Sequence, residues 1–480
     1  MGIKDFFLKQ TKTTEENARF SRQINTCYGI IEGLRLIDEN DLQIDAFLGI
    51  QFAKPPVGEL RFKKPQRPDS WNGVKHTIKF GPRAPQKDFF WNRRLRKFRK
   101  DEDCLYLNVF APAWQPPEGS NGFPVMVYIH GGGFLIDSAV NCGDIGICRN
   151  LCCNDVIVVT IQYRLGFLGF FSTGNEDNIT AFNGDPKRVT VFGQSAGGVC
   201  ADLLNLSPHS RDLFQRIVVM AGNAECEWGL TEKSRIVKLC RRFAKRAGWK
   251  SNNEDIDADL EMLKYLRKKP SKIFERSLFD ATAIDRQQIG LDLAPVIDGD
   301  FFPKPIDELR LESPKKNHMA GTCQYEALLF TALNPGQINI NGIDKLLSVS
   351  IPEEKFSDWR DLRQQARNLY FRNQRKPCKR LINEAYINLY SDLFVNNGTY
   401  KYTKLMAESG QEVYLYSFNY FNPKSFGLVS LAIPFKGSTH CTELTYLFGK
   451  SIVLSFKFNE NDKNMMDFMS KLWTNFAKYG

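Results

Sequence analysis

The chain has 480 residues, 42% hydrophobic, 25% charged and 12% aromatic, with a net charge of +11. This is a globular composition with ample apolar material for a large core, so stability needs no disulfide staples. The basic residues fall in separate clusters (93–100, 241–250, 267–269) with no nucleic-acid motif among them, which reads as solvated surface and argues against a nucleic-acid partner.

Residues 1–22 lack an apolar stretch and a small-residue cleavage site, so they read as a short polar helix or tail rather than a signal peptide. Gly2 follows Met1, but Phe6 stands where N-terminal acylation wants Ser or Thr. No apolar run reaches transmembrane length, since the best, 156–171, is broken by Arg164. The 12 cysteines are scattered, and Cys148, Cys152 and Cys153 lack zinc-ligand spacing. The expectation is therefore reduced thiols, a cytoplasmic location, no metal and no cofactor. The sequons at Asn178 and Asn397 carry no weight without a secretory route.

Short runs rich in Val and Ile at 124–129, 156–161, 189–192, 217–220 and 413–418 predict buried strands of a mostly parallel sheet. Helical patterns at 234–247, 256–267, 355–370 and 378–394 lie between and after them. The alternation predicts a single α/β domain over 23–480, with one long helical insertion after Met220.

Within that frame, 189–198 reads VTVFGQSAGG, a β-branched strand running into Gly193-Gln194-Ser195-Ala196-Gly197 and then a helix pattern. The glycines on either side of the serine leave room for a sharp strand-to-helix turn, which would expose the Ser195 hydroxyl as a nucleophile. A serine nucleophile needs a base, and there are five histidines. His130 precedes three glycines, His76 and His318 sit in polar or basic stretches, and His209 lies just past the nucleophile's helix. His440 comes late in the chain, in a loop that opens a helix pattern at 443–448. The order Ser, then acid, then His selects it. The acid must lie between them: Glu326 follows a strand-like stretch at 319–323, with Asp298, Asp392 and Glu443 as alternatives. Glu443, three residues after His440, could instead cap the helix there. Gly131, Gly132 and Gly133 follow the strand at 124–129, and the amides of Gly132, Gly133 and Ala196 form the expected oxyanion hole. With no Lys-Ser/Thr after the glycines, this is not a nucleotide loop.

These segments together resemble the type-B carboxylesterase/cholinesterase family of α/β-hydrolases. Phe47-Leu48-Gly49-Ile50 and 53–62, Glu102-Asp103-Cys104-Leu105-Tyr106-Leu107-Asn108-Val109, His130 to Phe134 and 182–197 are similar to its signatures, with Asn183 as a variant position. The resemblance covers nearly the whole chain. It implies an α/β-hydrolase fold, a large mostly parallel sheet flanked by helices, and a Ser195–Glu326–His440 triad. There are departures. Ala84 stands where the family has a cysteine paired with the one here at Cys104. Gln194 replaces the glutamate of cholinesterases. Ile289 and Leu291 replace an aromatic acyl pocket, and the choline-site tryptophan has no clear counterpart beyond nearby Trp91. The implied substrates are small or lipophilic acyl esters rather than a choline ester. The stretch 167–187 offers no amphipathic helix, although a parallel crossover is usually helical. A crossover helix before the nucleophile strand is therefore expected to be missing, leaving the sheet face beside Ser195 poorly covered, and the chain stops early at Gly480. Two further functions fit the sequence: a catalytically impaired binding protein on this fold, and an acyltransferase using the same acyl-enzyme.

Overall fold

The computed structural model describes residues 19–37, 42–88, 98–169, 184–250, 256–277, 291, 293–332, 335–451 and 456–480. Among the described residues eleven strands form one sheet: β1 (Phe20–Thr26), β2 (Gly29–Ile37), β3 (Gln43–Gln51), β4 (Val74–His76), β5 (Tyr106–Pro112), β6 (Phe123–Ile129), β7 (Ile157–Ile161), β8 (Gly184–Gln194), β9 (Arg216–Met220), β10 (Asn317–Cys323) and β11 (Glu412–Phe418). Their order is β1-β2-β3-β5-β7-β6-β8-β9-β10-β11, with β4 beside β2. This is the α/β-hydrolase fold expected from the sequence, but the sheet is mixed. Pairs from β1 to β7 along that path are antiparallel, and pairs from β7 to β11 are parallel. The antiparallel strands also begin earlier than anticipated. The expected N-terminal tail lies outside the described residues as far as residue 18, and its last three residues already open β1.

The inner parallel strands read as continuous apolar runs because both faces are covered; the run at 413–418, expected to be a buried strand, is instead the edge strand β11, with Tyr414 and Leu415 exposed because it ends the sheet. On one face Met126, Tyr128, Val158, Phe192, Val218 and Met220 pack against Met469, Trp473, Phe476 and Ala477 of the helix Glu460–Tyr479. A capping box starts this helix: the Asn459 side chain accepts from Asp462 N–H, and the Asp462 carboxylate accepts from Asn459 N–H. On the other face Val125, Ile129, Ile157, Val191, Ile217 and Val219 meet Ala201 of the helix Ala196–Leu206 and Tyr402 and Met406 of the helix Asn397–Glu408. On this second face Val127, Ile161 and Tyr163 are only partly buried. The connection 170–183, where the crossover helix was expected to be missing, lies outside the described residues.

The insertion after β9 carries the helices Lys233–Arg246, Ile256–Arg267 and Ile306–Glu312 before the chain returns through β10. Leu239, Phe243, Met262 and Leu266 of the first two pack on Leu135 and Ile136, so the insertion braces the loop after β6. The carboxyl ends of β6, β8 and β10 lie on one edge of the sheet, where open α/β sheets place their ligands.

Candidate functional site

Strand β8 runs directly into the helix Ala196–Leu206 through one residue, Ser195, at φ 58° and ψ −126°. That backbone is unfavourable for a residue with a side chain and persists only where the surroundings hold it. The Ser195 N–H donates to Met220 O at 2.7 Å, tying the turn to β9. Neighbouring glycines leave no room for anything larger. A Cβ at Gly193 would lie 2.2 Å from Gly197 O, one at Gly197 2.0 Å from Ile129 O, and one at Gly222 2.3 Å from Ser195 O. The spacing seen in the sequence is thus a packing requirement.

His440 and Glu326 come together as a buried pair. His440 Nδ1 lies 2.6 Å from Glu326 Oε2, and the two residues are 4% and 0% exposed. The other carboxylate oxygen, Oε1, accepts the Cys323 N–H at 2.5 Å. The two carrier loops are stitched together: Tyr325 N–H donates to Ser438 O, and Thr439 Oγ1 accepts from Leu329 N–H while donating to the Glu326 carbonyl. With Nδ1–H directed at the carboxylate, the Nε2 lone pair is free to accept a proton. It faces Gln194 Nε2 at 3.3 Å, and Gln194 Oε1 accepts the Cys441 thiol at 3.2 Å. Among the described residues no hydrogen bond joins Ser195 Oγ to His440. The aromatic rings of Phe330 and Phe394 flank the imidazole, with centroids 5.2 and 5.8 Å away. Phe394 sits on a π-helical turn, Asp392–Asn396, and its carbonyl accepts the Trp228 indole N–H at 2.6 Å.

The glycine loop after β6 packs directly on the turn. A Cβ at Gly131 would lie 3.1 Å from Ser195 Cβ. Gly132, Gly133 and Phe134 take φ of 98°, 59° and 60°, and the Gly132 carbonyl accepts the amides of Leu135 and Ile136. The amides of Gly132, Gly133 and Ala196 donate to no acceptor among the described residues. His130 anchors the loop and is held neutral by burial, which pushes its pKa down. Its Nδ1 bonds Gly131 O at 3.0 Å, and its ring stacks on Tyr163, whose hydroxyl donates to His130 O at 2.8 Å.

The remaining histidines lie elsewhere. His76 and His209 are exposed beside Glu32 and Asp300. His318 corrects its sequence reading: its flanks look polar, yet it is fully buried on β10, accepting from Tyr402 OH at Nδ1 and donating to Gln411 Oε1 from Nε2. Of the alternative acids, Asp298 binds the amides of Asp300 and Phe302, and Asp392 accepts from Tyr370 OH. Glu443 is buried and accepts the Cys323 thiol at 2.9 Å. That contact was not foreseen. Cys104 packs on Ala84 and Leu165. Leu291 packs between the insertion and the cluster around Phe134. Ile289, Trp91 and Asn183 lie outside the described residues. Among the described residues no group of three His, Cys, Asp or Glu side chains could hold a metal ion, and no helix is long and apolar enough to cross a membrane.

A profile of the carboxylesterase family matches residues 21–480. The chain is 36% identical to esterase cest-33 of Caenorhabditis elegans, over 98% of this chain and 86% of that one. It is 30% identical to liver carboxylesterase 1 of Oryctolagus cuniculus, over 95% of this chain and 85% of that one. It is also 28% identical to neuroligin-3 of Mus musculus, over 95% of this chain and 61% of that one.

Proposed function

The chain belongs to the carboxylesterase family, and we propose that it is a serine esterase that cleaves small or lipophilic acyl esters through an acyl-enzyme on Ser195. The reading rests above all on one arrangement: a strained serine turn beside a buried His440–Glu326 pair whose proton sits on Nδ1. Ser195 Oγ attacks the ester carbonyl as His440 Nε2 takes its proton, and Glu326 orients the ring and stabilises the imidazolium. The amides of Gly132, Gly133 and Ala196 donate to the developing oxyanion, a contribution of about 3 kcal/mol per donor. The alcohol leaves with the proton from His440. Water, deprotonated by the same nitrogen, then releases the acid and restores Ser195. The Gln194 amide has to yield Nε2 to the serine hydroxyl on substrate entry, an adjustment ordinary for a site without substrate.

Phe330, Phe394, Trp228 and Phe134 supply uncharged rings around this position, which supports a lipophilic acyl group. Buried cysteines such as Cys104, Cys142, Cys148 and Cys226, whose thiols burial holds protonated, are in keeping with a reducing, cytoplasmic setting. The test is hydrolysis of p-nitrophenyl esters of increasing acyl length by wild type and Ser195→Ala. The expected result is turnover by wild type with an initial burst, rising from acetyl to medium chains, and none by the variant. Equal rates from both proteins would refute the assignment.

A second reading, a non-catalytic binding protein, draws on the neuroligin similarity and on the engagement of His440 Nε2 by Gln194. It predicts no burst with any ester from a cooperatively folded wild type.

A further inference from the structure

The insertion after β9 concentrates the positive charge of the chain. Between Lys233 and Arg276 it carries 14 lysines and arginines against six aspartates and glutamates, a net +8 out of +11 for the whole chain. The helix Lys233–Arg246 holds seven of these cations and no acid. Its Leu239, Phe243 and Ala244 are buried in the core. At helical spacing the opposite side presents Lys238, Arg242, Lys245 and Arg246, all exposed. Arg241 pairs with Asp259 of the next helix. Among the described residues Lys238, Arg242, Lys245 and Arg246 have no carboxylate partner.

The fold also joins basic runs that are separate in the sequence. Tyr265, in the last turn of the helix Ile256–Arg267, donates its hydroxyl to Ala247 O at 2.9 Å. Its ring lies 5.5 Å from that of Trp249, and Lys269 Nζ sits over it at 4.2 Å. The runs 241–250 and 267–269 therefore meet at one corner, with Lys250, Lys264 and Lys268 exposed there. Leu260, one turn before Lys264, is half exposed, and Glu261 is an exposed acid beside it. The cationic helix is no detached appendage, since Phe243 shares its apolar cluster with Leu135 and Ile136, just after the glycine loop.

We propose that this face of the insertion binds anionic phospholipid and holds the protein at a membrane surface. The apolar side of the helix Lys233–Arg246 is already committed to the core, so the contact is a peripheral, electrostatic one with headgroups rather than insertion of an amphipathic helix. Each basic side chain brought to a negatively charged bilayer strengthens binding by about fivefold, and salt screens the attraction. Single-stranded nucleic acid fits the face less well, because Trp249 and Tyr265 are partly buried against each other and offer no platform for stacking bases. A lipid surface also matches the uncharged rings around His440, because a lipophilic ester dissolves in the bilayer beside the docked protein. That consequence rests on the esterase reading, whereas lipid binding does not.

The experiment is co-sedimentation at about 0.1 M salt with vesicles of phosphatidylcholine alone and of phosphatidylcholine with about 30% phosphatidylserine. It compares wild type with a variant combining Lys238→Gln, Arg242→Gln, Lys245→Gln and Arg246→Gln. Wild type is expected to bind the anionic vesicles only and to be released at about 0.5 M salt. The variant is expected to bind them about a hundredfold more weakly. Equal binding by both proteins, equal binding to both kinds of vesicle, or no binding to either overturns the proposal. So does capture of RNA by a wild type that ignores the anionic vesicles. If the fourfold variant does not fold, Lys264→Gln combined with Lys268→Gln has to weaken binding by about tenfold. Sedimentation needs no turnover, so a wild type that binds anionic vesicles and hydrolyses no ester sinks the esterase reading alone.

Discussion

At the scale of single residues the site is a set of tight fits. Gly197 passes so close to Ile129 O and His130 O that a methyl group would have to displace the strand or the helix. Overpacking of this kind costs about 1–3 kcal/mol, and small misplacements of reacting groups cost more in rate than in binding. Gly197→Ala is therefore expected to lower the melting temperature and to cut kcat by about a hundredfold, measured by calorimetry and steady-state kinetics on one preparation. Glu326→Gln keeps the shape but removes the charge that fixes the Nδ1–H tautomer. The expected effect is a loss in kcat of about 10³–10⁴ with little change in KM, and retention of full kcat would remove Glu326 from its role. The serine turn and the glycine loop were legible in the sequence, because a sharp turn with no room for side chains permits few residue types, and the order Ser, acid, His pointed to the Glu326–His440 pair that the fold brings together. The Glu443–Cys323 contact was not, since nothing local announces that the end of β10 meets the first turn of a helix 120 residues later.

At the scale of elements, the buried parallel strands were legible because both of their faces are apolar. The antiparallel strands β1 and β2 were not: Phe20 is half exposed, and β2 alternates Leu34 and Leu36 with Gly33 and Arg35, so no continuous apolar run marks them. The π-helical turn at Asp392–Asn396 was also invisible, because the helical pattern of 378–394 runs into it without a break. Its consequence is local: Phe394 is presented to His440 while its carbonyl is held by Trp228. The glycine loop depends similarly on one contact from the segment after β7. Tyr163→Phe removes the hydroxyl bond to His130 O. Stability is expected to fall by about 1 kcal/mol, with kcat reduced more than KM is raised, because the loop's donors act only in the transition state. Denaturant melts combined with ester kinetics test this, and an unaltered kcat would show that the loop is held without Tyr163.

At the scale of the molecule, the core between β10 and the helix Asn397–Glu408 carries a pH dependence of its own. Burial pushes His318 from its ordinary value of 6.5 to about 4, with the Gln411 hydrogen bond opposing only in part. Because the folded protein binds this proton less readily than the unfolded chain, stability is complete above pH 6.5 and is lost as pH falls toward 4, by about 3 kcal/mol. Urea melts across that range should show the decline, and His318→Gln should flatten it. An identical slope in both proteins would place the acid sensitivity elsewhere. All of these scales converge on whether the fold holds Ser195 in a reactive state. The most direct measurement is intact-mass and peptide analysis after brief exposure of the folded chain to a fluorophosphonate. One adduct per chain is expected, located on Ser195 and absent from Ser195→Ala. A cooperatively folded wild type that takes up no label at Ser195 would contradict it.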